Sequence, residues 1–184
     1  MRVTSLAVLA TVLSVTPLPA QEPERYVLLA TTRTSTMQEE INQAAGRGYR
    51  VVGASRTENA EVIVAMERAT GTYNYRLIAT TRTGTLQREI TEACEAGYRV
   101  VPRGVTTKRT IGSGFNTNNR DEGELLVLME KGPDTPPGLA YHVVATSRTG
   151  TMQKEMAETA ERGFALIALV SRGEHVAVFE RTGR

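Results

Sequence analysis

The sequence predicts an α+β protein built from three tandem β-α-β-β repeats, packed as a compact pseudo-threefold body with sheets inside and helices outside. Three observations carry this expectation. The block Tyr26-Val-Leu-Leu-Ala-Thr-Thr-Arg-Thr-Ser-Thr-Met-Gln-Glu-Glu40 recurs at Tyr75–Glu89 and again at Tyr141–Glu155, and self-similarity at such a period marks one small unit used repeatedly. Within each copy the apolar spacing passes from strand period to helix period and back. The last strand of a copy is apolar on both faces: Leu125, Val127 and Met129 point one way, Leu126 and Leu128 the other. One helix covers one face of a three-stranded sheet, so the second face needs a neighbour, and the sister repeats are nearest. Units of this size are also marginal alone. Separate beads on a string would leave the second faces wet.

Each element follows in order. The first strand runs from Tyr26 to Arg33, and Thr36, Thr85 and Thr151 stand where a helix N-cap is expected. Helical spacing follows in Met37, Ile41, Ala44 and Ala45, in Leu86, Ile90, Ala93 and Cys94, and in Met152, Met156 and Ala160. Gly48, Gly97 and Gly163 are placed to end the helices in a left-handed conformation. Second strands begin at Tyr49-Arg-Val-Val, Tyr98-Arg-Val-Val and Phe164-Ala-Leu-Ile. A turn then leads to third strands at Glu61–Arg68, Glu124–Lys131 and Glu174–Arg181.

The repeats divide the chain into residues 21–70, 71–134 and 135–184, joined by a short link at 69–74 and a Pro/Gly-rich spacer at 132–138. Repeat two carries an insertion at about 106–121. Its flexible composition, with Lys108, Arg109, Phe115 and Arg120, makes it a candidate partner loop, since loops often carry binding functions; a plain solvated loop is the alternative. Gly112-Ser-Gly114 lacks the following Gly-Lys-Ser/Thr of a phosphate loop.

Residues 1–20 read as a signal peptide: a basic start at Arg2, an apolar run from Val3 to Val15, and Ala20 before a polar stretch. The run is too short to span a bilayer, so cleavage after Ala20 is expected, with an uncleaved anchor as the alternative. The expected product is an exported protein, periplasmic or secreted, without stable membrane insertion. Its net charge of +2 is small, so the electrostatic footprint of a nucleic-acid binder is missing. The single cysteine, Cys94, aligns with Ala45 and Ala160 and reads as a small buried helix residue.

A short helix, then Gly-aromatic-x-Val-Val, a turn and an apolar strand ending in Glu-Arg resembles the small bacterial family catalogued as domain of unknown function 4177. The resemblance covers each repeat and implies the same strand-helix-strand-strand order. Gly-Tyr-Arg or Gly-Phe-Ala stands here where that family has Gly-Trp-Glu. It implies no catalytic residues.

Candidate chemistry is concentrated in the residues all three copies retain. Arg33, Thr34 and Thr36, with Arg82, Thr83 and Thr85 and with Arg148, Thr149 and Thr151, could form anion pockets. Helix N-termini favour negative charge, and an arginine adds a bidentate donor. Gly84 and Gly150 would let the backbone approach a ligand. Alternatively Arg33 pairs with Glu40 or Glu67, whose counterparts are Glu89, Glu130, Glu155 and Glu180, holding units in register. His142 and His175 fall at unmatched repeat positions, and the only aspartates are Asp121 and Asp134. That inventory supplies no metal-ligand spacing and no nucleophile motif, and nothing calls for a cofactor. The favoured expectation is a non-enzymatic envelope module that binds a small anion or an envelope protein and has scope to oligomerise. A small hydrolase or lyase using Arg and Glu at the repeat junctions is the alternative, as is a purely structural self-associating repeat. Intact-mass measurement of the protein recovered from its producing cell is expected to show a chain beginning at Gln21, and a chain that retains Met1 would refute cleavage.

Overall fold

The computed structural model describes residues 24–57, 61–108 and 123–183. The first unit consists of β1 (Tyr26–Thr31), α1 (Thr34–Gly46), β2 (Tyr49–Arg56) and β3 (Val62–Arg68). The second has β4 (Asn74–Thr80), α2 (Thr83–Glu95), β5 (Arg99–Lys108) and β6 (Glu124–Lys131). The third has β7 (Leu139–Thr146), α3 (Thr149–Glu161), β8 (Ala165–Ser171) and β9 (His175–Thr182). Every sheet places its last strand in the middle, in the orders β1-β3-β2, β4-β6-β5 and β7-β9-β8. Both outer strands run antiparallel to the central one and so parallel to each other. The helix is the crossover that a parallel pair requires. The α+β class and the three β-α-β-β units are therefore as the repeat predicts. Residues 1–20, read above as a signal peptide, and most of the insertion, with Arg109, Phe115 and Arg120, lie outside the described residues.

Helix ends show one agreement and one correction. Gly48, Gly97 and Gly163 have φ of 86°, 88° and 81°, and each donates its N–H back to the last helical turn. At the other end the helices begin at Thr34, Thr83 and Thr149, so Thr36, Thr85 and Thr151 lie inside the first turn and are not the caps. The cap positions are Arg33, Arg82 and Arg148, extended and without a side-chain cap bond. The cause is an earlier turn. The Oγ1 atoms of Thr31, Thr80 and Thr146 accept from the N–H of the arginine two residues on, at 3.2, 3.2 and 3.3 Å. That closes the strand end two residues before Arg33 and starts the helix sooner.

Second strands carry a bulge in every unit, between Val51 and Gly53, Val100 and Val105, and Leu166 and Ala168. In β5 the excursion is longest and contains Pro102, which has no N–H for a ladder. Gly104 ends it where a Cβ would stand 2.7 Å from the Leu128 Cβ. Only glycine fits that approach.

Packing explains the two-faced strands. Leu125, Val127 and Met129 share a core with Leu86, Ile90 and Ala93 of their own helix. From the opposite face of β6, Leu126 and Leu128 enter the core of the first unit, beside Met37, Ile41 and Val64. One step on, Val176 and Val178 of β9 join the second unit's core, while Ala177 and Phe179 pack with Met152. Each sheet thus lies under its own helix on one face, and the second and third sheets close the preceding unit's core with the other. Helix α1 packs on β4 and α2 on β7, with β2 against β5 and β5 against β8. No comparable packing sets α3 on β1. The units are mutually buried, as the sequence requires, but they stand in an open row of two like joints and do not close a threefold ring.

Urea unfolding is expected to separate the two faces. Leu128→Ala, which empties a joint core, should cost about 2–5 kcal/mol. Leu28→Ala, on the corresponding face of the first unit, should stay within about 0.5 kcal/mol. Equal losses would refute the open row.

Candidate interaction surface

Each joint begins with an edge strand. The outer edge of β4 presents unpaired backbone groups, and such an edge must be covered or paired. Gln38 of α1 lies across it: its Nε2 donates to the Tyr75 carbonyl at 2.7 Å and its Oε1 accepts from Leu77 N at 2.5 Å. Asn42, one turn on, donates to the Tyr75 carbonyl and accepts from Tyr75 N, at 3.0 and 2.9 Å. The second joint repeats the device. Gln87 donates to the Tyr141 carbonyl at 3.1 Å and accepts from Val143 N at 2.7 Å. Cys94 Sγ stands 3.0 Å from the Leu139 carbonyl. The thiol is half-buried against this edge, and burial pushes its pKa upward, followed by the Glu180 and Glu95 carboxylates.

A buried polar knot closes the sheet side of each joint. The Tyr75 hydroxyl accepts from Val51 N at 2.9 Å and donates to Glu130 Oε2 at 2.7 Å. Arg50 grips the same carboxylate through Nε and Nη2. Those donors occupy both Glu130 oxygens in a side chain that is 5% exposed, which is the pattern of a satisfied buried pair. At the second joint Tyr141 accepts from Val100 N and donates to Glu180, with Arg99 3.7 Å from that carboxylate. Burial raises both phenols above the ordinary tyrosine value, and the hydrogen bond to glutamate adds to it. The Glu130 hydrogen bond raises Arg50 in turn. A groove of about 330 Å³ opens beside the first knot, lined by Arg50, Glu67, Arg99, Pro102 and Glu130.

A third contact is cationic. Lys108 Nζ donates to the Thr32 carbonyl at 2.6 Å, reaching from the second unit to the first. Arg172 does the same from the third unit, donating to the carbonyls of Thr81 and Gly123 and to Glu174. Its Nε is buried without a partner. Lys108 is therefore spent on a joint, not presented by a partner loop. The corresponding residue of the first unit is Thr57, which carries no cation.

The repeated block divides accordingly. Arg33, Arg82 and Arg148 are exposed, and none forms an ion pair with a described residue. The expected pairing of Arg33 with Glu40 or Glu67 is absent among the described residues; the arginines that do meet repeat glutamates are Arg50, on Glu130, and Arg99, near Glu180. Thr83 donates to Glu174 at 3.0 Å, and Thr149 lies 3.4 Å from His175 Nε2. Thr34, Thr36 and Thr85 are half-buried on the first helical turns, and Thr151 is exposed. The arginines and threonines stand one set per unit and are not brought together. Ser171 Oγ lies 3.2 Å from His175 Nδ1 on an exposed hairpin, and no described carboxylate hydrogen-bonds that ring. Gln38, Gln87, the tyrosines and Arg50 are joint residues that motif reasoning missed. A signal for them existed: Arg50 and Arg99 give way to Ala165 in the last copy alone, and the cation at 108 and 172 is missing from the first alone.

At both ends of the row the joint surfaces stand open. Tyr26 is 53% exposed, whereas its counterparts Tyr75 and Tyr141 are 3% and 7%. Leu166 is 43% exposed against 6% for Val51 and 0% for Val100. With Leu28 and Leu169 these are the exposed large apolar residues among the described ones. Tyr26 and Leu28 lie on the free face of the first sheet; Leu166 and Leu169 lie on β8, where a fourth unit would pack.

No known family model, curated protein or solved structure matches this chain. Among the described residues no helix is long and apolar enough to cross a membrane. Nor do they contain a group of three or more His, Cys, Asp and Glu side chains placed to hold a metal.

The phenols give a pH prediction with a fixed sign. Both hold their protons more tightly in the folded chain. Above the ordinary tyrosine value of about 10 the unfolded chain therefore binds fewer protons, and it gains population as pH rises. Stability is fully present below that pH and should fall through the alkaline range above it. In Tyr75→Phe with Tyr141→Phe the urea midpoint should start lower at neutral pH and lose part of this alkaline slope. An unchanged slope would show that the knots are not formed.

Proposed function

We propose that this protein is an exported, non-enzymatic interaction module of the cell envelope whose binding surfaces are the two open ends of its row of repeats. One observation carries the reading: the exposed Tyr26 and Leu166 occupy positions that are buried at both internal joints, and the exposed Leu28 and Leu169 occupy positions that are half-buried or buried there. Scattered surface leucines need no explanation, but apolar clusters on an unpartnered sheet face mark contact surfaces. Terminal units of a repeat array ordinarily turn a polar face outward. Here Leu166 stands where the inner units have valine, and Leu169 lies opposite Ala177 as Ala54 lies opposite Val64. Neither end has been made polar.

The retained polar residues favour binding over catalysis. Glu130, Tyr75 and Gln38, the groups with the most distinctive environments, are saturated by joint contacts and have no capacity left for a substrate. Of the Arg–Glu pairs that would serve a junctional hydrolase, Arg50 and Glu130 are bound to each other at 2.7 Å, and Glu180 is engaged by Tyr141. Export rests on the composition of residues 1–20. Kinship with the domain of unknown function 4177 is proposed on the Gly-aromatic-x-Val-Val pattern and the element order that the resemblance implies.

The test is site-specific photo-crosslinking in the producing cell, with the reactive side chain at position 28 or 169 and, as controls, at Glu39 or Arg88 on exposed helix surface. Discrete protein adducts from 28 and 169, and none from the controls, are expected. Adducts equally frequent at all four positions, or absent from both ends, would refute the reading.

A further inference from the structure

We propose that the partner of these ends is a second copy of the same chain, docked head to tail, with α3 and β8 of one molecule seated on the free face and edge of β1 in the next. The inference deepens the reading above and rests on it. Its warrant is that the molecule already contains this interface twice. Each unit offers a forward surface, consisting of a helix glutamine and the second strand, and a backward surface, consisting of a tyrosine, a glutamate and the edge of the first strand. The forward surfaces of units one and two are filled by the backward surfaces of units two and three. What is left over is one forward surface at Gln153 and β8 and one backward surface at β1.

The leftover halves match group by group. Gln153 is exposed, whereas Gln38 and Gln87 are half-buried at joints. By the register of those two joints it would donate to the Tyr26 carbonyl and accept from Leu28 N. The Tyr26 hydroxyl would accept from Leu166 N, as Tyr75 accepts from Val51 N and Tyr141 from Val100 N. Ala160, exposed on α3, would lie on the incoming edge as Cys94 lies on the Leu139 carbonyl. Leu166 and Leu169 would cover Leu28, as the inner joints cover the corresponding faces. A heterologous contact of this kind does not saturate in a dimer; it continues into a ring or a filament.

Two departures set its strength. Ala165 replaces the arginine that grips Glu130 and nears Glu180, and Thr57 replaces the cation that reaches back to the preceding loop. The contact between copies therefore lacks both charged anchors of an internal joint. It is a reversible association that depends on concentration, in contrast to the permanent joints within the chain. The missing arginine also provides a gain-of-function test, because Glu67 stands where Glu130 and Glu180 stand.

Sedimentation velocity on the protein as its cell processes it is expected to show mass rising beyond a dimer with concentration. Leu28→Glu and Leu169→Glu, both at exposed sites, should each be monomeric with unchanged melting temperature. Mixed one to one they should form a dimer and nothing larger, because each retains the half that the other has lost. Ala165→Arg should tighten association about tenfold through a charge-assisted pair, and Glu67→Ala should cancel that gain. A dimer formed by Leu169→Glu alone would overturn the proposal in favour of a symmetric face-to-face contact. So would Ala165→Arg protein that remains monomeric up to about 1 mM. If the purified chain is monomeric while position 28 crosslinks to a different protein, the self-partner falls and the interaction-module reading stands. If the ends yield no adduct in the cell, that reading falls as well.

Discussion

Everything in this fold depends on the second face of a three-stranded sheet. One helix per unit covers one face, and a sheet carrying Leu126 and Leu128 on the other cannot leave them in water. The first unit's core is completed by the second unit's sheet, and the second unit's core by the third's. Burial in the middle of the row follows: Leu128 and Val178 are almost inaccessible although each lies on the side of its strand away from its own helix. Stability is shared between neighbours, in the manner of repeat arrays whose members contact only the units beside them.

Apolar burial alone would allow the units to slide. Register is set by the polar groups at the joint, which have few alternative partners. Gln38 must meet a carbonyl and an N–H two residues apart on one strand, and Tyr75 must reach both a backbone N–H and a carboxylate. A slip between the units would part Gln38 from both backbone groups and would strand Glu130 without the Arg50 donors. Leaving a buried charge unpaired costs far more than the pair contributes when made. The knots are therefore best understood as devices of specificity laid over a hydrophobic attraction.

The same dependence makes the ends informative. A structure in which each sheet needs a neighbour has, in a row of three, one face without a neighbour and one helix without a strand to cover. The chain has altered the polar anchors at these places, with Ala165 and Thr57, and has kept the apolar and amide groups. The proposed association between copies would lack these anchors and so be weaker than the internal joints.

The sequence by itself determined the unit, its three copies, the order of strands and helix, the glycine helix ends and the need for mutual burial. These are properties of local period, of its repetition along the chain and of single conformational requirements, and none of them depends on which distant residues meet. Tertiary structure alone decided the rest. Thr31 moves the start of α1 forward of Thr36 through a hydroxyl contact that spacing does not reveal. Gln38 finds Tyr75 37 residues away, and Arg50 finds Glu130 80 residues away, partners that no periodicity names. Tyr26 and Tyr75 occupy the same place in the same motif, yet one is exposed and the other buried. The difference is that the first unit covers Tyr75 and none of the described units covers Tyr26, which is a fact about position in the row and not about the residues themselves.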